Sequence, residues 1–323
     1  MQDTANEKLL EVNHLKKYFT TRHGLLHAVD DVSFYIYKGE TLGLVGESGC
    51  GKSTTGRVII RLLEPTGGEV LYQQQDVCKM NPAQMREQRK KMQIVFQDPY
   101  SSLDSRRNVF ESIEEPLLVN RIGKKERAAR VFELMDTVGL ANRLCNSYPH
   151  ELDGGRRQRI GIARALALNP SFIVLDEPVS ALDVSIQAQV LNLMEQLQKE
   201  MDLTYLFISH NLSVVRHISD RVAVMYLGKI VELAGYKEIF ASPMHPYTKA
   251  LLSAVPLPRI DLKLDKIILE GDVPSPINPA PGCRFYNRCP AKMNRCKNEE
   301  PALVEAEPEH FVSCHLVSGN RDL

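Results

Sequence analysis

Short, solidly apolar runs alternate along the chain with longer stretches whose apolar residues recur every three or four positions. Thr41-Leu-Gly-Leu-Val45, Gln93-Ile-Val-Phe96, Phe172-Ile-Val-Leu175, Tyr205-Leu-Phe-Ile208 and Val222-Ala-Val-Met-Tyr226 are the clearest of the short runs. They are rich in β-branched side chains and show no polar alternation. Such runs predict strands covered on both faces, as in a largely parallel sheet. Helical periods fall between them, for example over residues 186–201. Strand and helix in turn predict an α/β chain. No internal repeat or low-complexity tract breaks the order.

The pattern changes near residue 240. Eleven of the 18 prolines lie from Pro243 onward. The run Val273-Pro-Ser-Pro-Ile-Asn-Pro-Ala-Pro-Gly282 cannot be helical, because proline removes a donor and crowds the preceding turn. We therefore divide the chain into a domain over 1–240 and a C-terminal region over 241–323. The length of 323 residues suits one large domain with an appendage, or two domains. At 43% hydrophobic and 25% charged, the composition excludes disorder as the main state. Forty basic and 40 acidic side chains cancel, so no global charge draws the chain to nucleic acid or anionic lipid. No apolar stretch approaches the roughly 18 residues of a membrane span. The polar N-terminus lacks the apolar core of a signal peptide, which predicts a cytoplasmic protein.

Leu42-Gly-Leu-Val45 runs into Gly46-Glu-Ser-Gly-Cys-Gly-Lys-Ser-Thr54, a full match to G-x-x-x-x-G-K-[ST] between a strand and a helix. Glycines let the backbone curl so that successive N–H groups of Gly46, Glu47, Ser48, Gly49, Cys50 and Gly51 face phosphate oxygens. The helix that follows adds its positive end. Lys52 reaches the β- and γ-phosphates, Ser53 offers a hydroxyl to Mg²⁺, and Thr54 closes the motif. Cys50 reads as a variable loop position rather than a redox-sensitive thiol. Further on, Ser171-Phe-Ile-Val-Leu-Asp-Glu177 is an apolar strand ending in two carboxylates. Ligands collect at the carboxyl ends of parallel strands. Asp176 is placed to hold Mg²⁺ through water, and Glu177 to orient or deprotonate an attacking water.

These segments, with several others in order, resemble the ATPase subunits of ABC transporters over roughly residues 8–240. Gln97, in Val95-Phe-Gln-Asp-Pro99, resembles the glutamine that touches Mg²⁺ and water and senses the membrane partner. Ser180-Ala181-Leu182-Asp183 resembles the loop that crosses a dimer interface. His210 resembles the switch histidine on the γ-phosphate. Tyr18 sits where the family stacks an aromatic ring on adenine, with Phe19 as the alternative. The resemblance implies a P-loop (RecA-like) core with an antiparallel β layer and a helical subdomain at about 99–160. It implies ATP and Mg²⁺ as ligands.

The family's signature is usually LSGGQ, and here it reads Leu152-Asp153-Gly154-Gly155-Arg156. In the family this segment closes over ATP bound to the other subunit. An ionised Asp153 can only accept hydrogen bonds and repels a phosphate. Two readings stay open. Asp153 can serve as an ordinary N-cap, with Arg156 three residues on as its ion partner. Or the subunit belongs to an asymmetric pair, in which the site built on Asp153 hydrolyses slowly.

The C-terminal region resembles dipeptide and oligopeptide importer ATPases through Pro243-Met-His-Pro-Tyr-Thr-Lys-Ala-Leu-Leu252, Gly271-Asp-Val-Pro-Ser-Pro276 and Gly282-Cys-Arg-Phe-Tyr-Asn-Arg-Cys-Pro290. Nickel, glutathione and sugar importers share this tail. The resemblance implies a second ATPase subunit, two transmembrane permease subunits and an extracytoplasmic binding protein. It places the chain peripherally on the cytoplasmic face of the membrane. A soluble ABC ATPase acting on nucleic acid or ribosomes is the rival class. Such proteins carry tandem units, coiled-coil inserts or basic surfaces, and none is visible here.

Cys283, Cys289, Cys296 and Cys314 are separated by five, six and seventeen residues. In a reducing compartment, four crowded thiols point to metal before disulfides. Their spacing leaves zinc and iron–sulfur comparable. The family resemblance implies a [4Fe–4S] cluster.

Overall fold

The computed structural model describes residues 7–254 and 267–318. Residues 1–6, 255–266 and 319–323, part of the polar N-terminus and of the tail read above, lie outside the described residues. The strands are β1 (Lys8–Thr21), β2 (Gly24–Tyr37), β3 (Thr41–Val45), β4 (Gly67–Tyr72), β5 (Gln75–Asp76), β6 (Met92–Val95), β7 (Phe172–Asp176), β8 (Thr204–Ser209), β9 (Arg221–Tyr226), β10 (Lys229–Gly235), β11 (Val304–Glu307) and β12 (His310–Val312). The helices are α1 (Lys52–Ile59), α2 (Pro82–Lys91), α3 (Val109–Val119), α4 (Lys124–Thr137), α5 (Gly154–Leu166), α6 (Val184–Met201), α7 (Leu212–Ile218), α8 (Tyr236–Ala241), α9 (Pro246–Ser253) and α10 (His315–Ser318). All five apolar runs named above form strands. The chain gathers into two compact units.

The first unit holds Tyr37–Glu40 and Lys79–Ile208. Here β6, β7 and β8 run parallel, with Ile173 opposite both Gln93 and Tyr205. Every residue of β7 is buried, which is why its sequence shows no polar alternation. The helices α3, α4 and α5 pack on one another. They bury Val109, Ile113 and Leu117 from α3, Val131, Leu134 and Met135 from α4, and Ile160 and Ala163 from α5. Each large apolar side chain buried in this way stabilises the unit by about 1.5–3 kcal/mol. The start of α3 is fixed by a reciprocal cap. Asn108 accepts from the Glu111 amide at 2.9 Å, and Glu111 accepts from the Asn108 amide at 3.0 Å. Such a cap contributes about 1 kcal/mol.

The second unit holds Lys8–Ile36, Thr41–Cys78 and the described residues from Ser209 on. An antiparallel sheet runs in the order β2-β1-β4-β5, the layer that the family resemblance implied. Separately, β3 pairs parallel with β9, and β9 turns back antiparallel onto β10 through Leu227-Gly228. Beyond β10 come β12 and then β11, both antiparallel. Those last two strands belong to the cysteine-bearing tail. The tail thus completes a sheet that also carries β3, the strand feeding the phosphate loop.

Candidate functional site

In the second unit the chain leaves buried β3 at Val45 and curls through Gly46 to Gly51 before α1 begins at Lys52. Gly51 is the N-cap of α1 at φ 108°, a left-handed conformation that glycine adopts without strain. A Cβ there would lie 2.1 Å from the Ala28 carbonyl oxygen, so no other residue fits. Lys52 is 4% exposed. Its Nζ donates to the carbonyls of Gly46 at 2.8 Å and Glu47 at 3.0 Å, so the loop wraps its own ammonium. Phosphate oxygens entering the loop offer this ammonium stronger, charge-assisted acceptors. Ser53 and Thr54 lie in the first turn of α1, where the positive helix end faces an anion. Cys50 is buried, and burial pushes its thiol pKa up despite the nearby Lys52. Reactive thiols are lowered, not raised. Burial thus gives Cys50 none of the pKa lowering that marks a reactive thiol.

Tyr18 and Phe19 are consecutive on β1 and so point to opposite faces. The Tyr18 hydroxyl donates to Asp30 at 2.5 Å, and its ring stacks on His27 with centroids 4.1 Å apart. Burial and then Asp30 push the Tyr18 pKa up. His210 follows β8 and is exposed, one residue before Asn211 caps α7.

In the first unit, Asp176 ends β7 and is 1% exposed. Glu177 comes next at φ 48°, with its N–H on the Ile208 carbonyl at 3.0 Å. A left-handed non-glycine residue costs about 1–2 kcal/mol, and such strain concentrates at functional sites. Gln97, 80 residues earlier, donates its Nε2 to Glu177 Oε2 at 3.0 Å. The two residues assigned to water and metal thus touch.

Leu152 is buried ahead of α5, and Asp153 is the N-cap, accepting from the Arg156 amide at 2.8 Å. The Arg156 guanidinium lies 3.4 Å from its other oxygen. The first of the two sequence readings is thus present in the fold. A Cβ on Gly155 would come within 2.5 Å of Ile186 on α6. A Cβ on Gly154 would come within 2.9 Å of Leu182, so the signature glycines abut the segment Ser180-Ala181-Leu182-Asp183, whose last residue caps α6 by accepting from the Ile186 amide at 3.0 Å. Phosphate loop, Tyr18 and His210 belong to one unit; the acid pair, Gln97, signature and interface loop belong to the other.

Among the described residues, no three His, Cys, Asp or Glu side chains are arranged to hold a metal ion. Cys283, Cys289, Cys296 and Cys314 form no disulfide among the described residues. Burial, and then the neighbouring thiols Cys296, Cys314 and Cys289, push Cys283 up to about 11. In the structure β11 and β12 dock on β10, and Phe285, 1% exposed, packs edge-on against Tyr226 at 5.2 Å.

Several residues here carry no motif. Asp30, Glu232, His245, Tyr247, Arg284, Arg288 and His310 form polar contacts across the second unit. Their partners lie up to 254 residues away, beyond any local pattern.

Comparison with known proteins agrees with this geometry. The ABC transporter family profile matches residues 29–180, and that of the oligopeptide/dipeptide transporter C-terminal region matches residues 231–296. The dimeric ATP-binding cassette MJ0796, in a post-hydrolysis state with ADP and Pi, aligns at a TM-score of 0.65 and 28% identity, covering 70% of this chain and 98% of that one. Two Bacillus subtilis (strain 168) proteins match along nearly their whole length. The oligopeptide transport ATP-binding protein AppF is 55% identical over 98% of this chain and 100% of its own. The oligopeptide transport ATP-binding protein OppF is 54% identical over 95% of this chain and 96% of its own. The fold is that of an ABC transporter ATPase, which hydrolyses ATP. Within that class, the chain belongs to the family of oligopeptide transport ATP-binding proteins.

Proposed function

We propose that this subunit couples ATP hydrolysis to the uptake of di- or oligopeptides. The observation that carries the reading is the phosphate loop wound around buried Lys52. In the proposed reaction, water attacks the γ-phosphorus of ATP, the bond to the β-phosphate oxygen breaks, and ADP and phosphate leave. Lys52 and the loop amides from Gly46 to Thr54 hold the phosphates. Ser53, Gln97 and Asp176 serve Mg²⁺. Glu177, held by Gln97, orients the water and takes its proton, and His210 contacts the γ-phosphate. Tyr18 stacks on adenine. Residues 152–156 act on the ATP of the partner ATPase across the loop at 180–183. ATP docks the two ATPase subunits and hydrolysis lets them part, a switch biased by the γ-phosphate.

Among the described residues no helix is long and apolar enough to cross a membrane. We therefore assign the membrane path to two permease subunits, with this chain peripheral on the cytoplasmic face. A second, related ATPase and an extracytoplasmic binding protein complete the importer, and nucleic acid has no part in it. The likeness to the oligopeptide transport proteins AppF and OppF supports peptide as cargo over nickel, glutathione or sugars. Reconstitution with the permeases tests this. The expected result is ATP turnover stimulated by binding protein loaded with peptide. Stimulation only by nickel-, glutathione- or sugar-loaded binding protein would change the cargo. A soluble RNA-bound protein that ignores permeases would overturn the class.

A metal–thiolate centre on the tail is a separate proposal. It is supported by the closeness of the four thiols, which raise one another's pKa values. It requires them to rearrange into a ligand set. Protein purified without oxygen is expected to carry iron and sulfide, both lost on Cys289→Ala. Zinc alone removes the cluster, and no metal at all removes the proposal.

A further inference from the structure

The tail reaches the phosphate loop itself. Arg288, one residue before Cys289, sends Nη1 and Nη2 to the two carboxylate oxygens of Glu47 at 2.8 and 3.2 Å. Its side chain is 9% exposed, and that of Glu47 is 27% exposed. Paired forks of this kind are rigid and strong. Glu47 is the second residue of the loop. Its amide is occupied as well, donating to the Tyr247 hydroxyl at 3.0 Å. Tyr247 is fully buried at the start of α9, its ring 4.6 Å from Tyr226 and 5.4 Å from Phe285.

The same tail segment touches the adenine side. Arg284 donates to Asp30, the carboxylate that accepts the Tyr18 hydroxyl. Phe285 anchors the segment in the core between the two arginines. One stretch, residues 284–288, thus grips both ends of the nucleotide platform.

The geometry points to Arg288 and Arg284 as positioning residues for ATP, supplied by the C-terminal tail. Arg288 neutralises a carboxylate that otherwise faces the incoming phosphates from within their own loop. Like charges at such short range oppose binding, and the opposition grows as salt falls. Tyr247 holds the loop's curve from the same side. Arg284 sets Asp30, and through it the Tyr18 ring. This rests on reading residues 46–54 as the nucleotide site.

The test uses the full chain in the assembled transporter, with Mg·ATP as ligand. Arg288→Gln is expected to raise KM for ATP about tenfold while kcat changes little, more strongly at low salt. Adding Glu47→Gln removes the exposed charge, so the double variant is expected to regain most of the lost affinity. A purely structural arginine predicts no such rescue. Arg288→Lys should recover part of the affinity. Unchanged KM in folded Arg288→Gln, or losses that simply add in the double variant, overturn the inference. Lys52→Ala separates the two levels. If it binds ATP normally, the loop reading falls and this inference with it. If it loses ATP while Arg288→Gln leaves KM unmoved, only the tail's role falls.

Discussion

Glu177→Gln keeps ATP binding and lowers turnover about 100- to 10,000-fold, the range expected when a general base is removed. Glutamine has the shape of glutamate and retains a carbonyl oxygen for the Gln97 amide, now 3.0 Å from Glu177 Oε2. It cannot take a proton from water. The left-handed backbone at φ 48° is no harder for glutamine than for glutamate, so folding should be unaffected. The variant should therefore accumulate with ATP bound and its ATPase subunits docked. Phosphate release in a single turnover, alongside nucleotide binding, measures both halves of the expectation. Turnover within a few-fold of the parent protein would remove Glu177 from its assigned role. A variant that loses ATP binding would show that the residue does something other than activate water.

Stability falls in acid through the core of the second unit. His245 is 1% exposed and caps α9, its Nδ1 accepting from the Tyr247 amide at 3.1 Å. Burial lowers its pKa to about 4, against the partial opposition of Glu232. The unfolded chain takes up a proton on this histidine near its ordinary pKa of about 6.5. The folded chain does not do so until about 4. Stability is therefore full above pH about 6.5, falls as pH drops toward about 4, and levels off below it, losing about 3 kcal/mol in all. Protonation also destroys the acceptor that the cap needs. Glu232 acts in the same direction at lower pH. Burial pushes its pKa up, but hydrogen bonds from His310 and from the Met244 and His245 amides outweigh it and hold the carboxyl down. Its stabilisation is lost as pH falls through that depressed value. His245→Asn keeps a capping oxygen and has no titration, so its urea midpoint should vary less with pH across this window. An unchanged pH slope in that variant would place the acid sensitivity elsewhere.

Both units show where local reading succeeds. Strands β3, β7, β8 and β9 are legible because burial on both faces leaves an unbroken apolar run. The phosphate loop is legible because its chemistry needs consecutive amides, glycines and a lysine within nine residues. Asp176 and Glu177 are legible because one strand carries both to its end. The tail is less legible for a physical reason. Strands laid on β10 and Phe285 in an aromatic group hold it against the rest of the unit, and neither has a local signature.

By itself the sequence determined the class of fold, the phosphate loop, the acid pair and the resemblance to peptide-importer ATPases. Each depends on neighbours in the chain, or on the order of motifs along it. Tertiary structure alone decided that Gln97 bonds Glu177, that Asp153 is spent on its own helix and Arg156, and that Arg288 grips Glu47. The first and last of these join residues 80 and 241 positions apart, where folding rather than spacing sets the distance. In the Asp153 cap, the pairing was possible from spacing, but only the backbone at the start of α5 turned its oxygen onto the Arg156 amide.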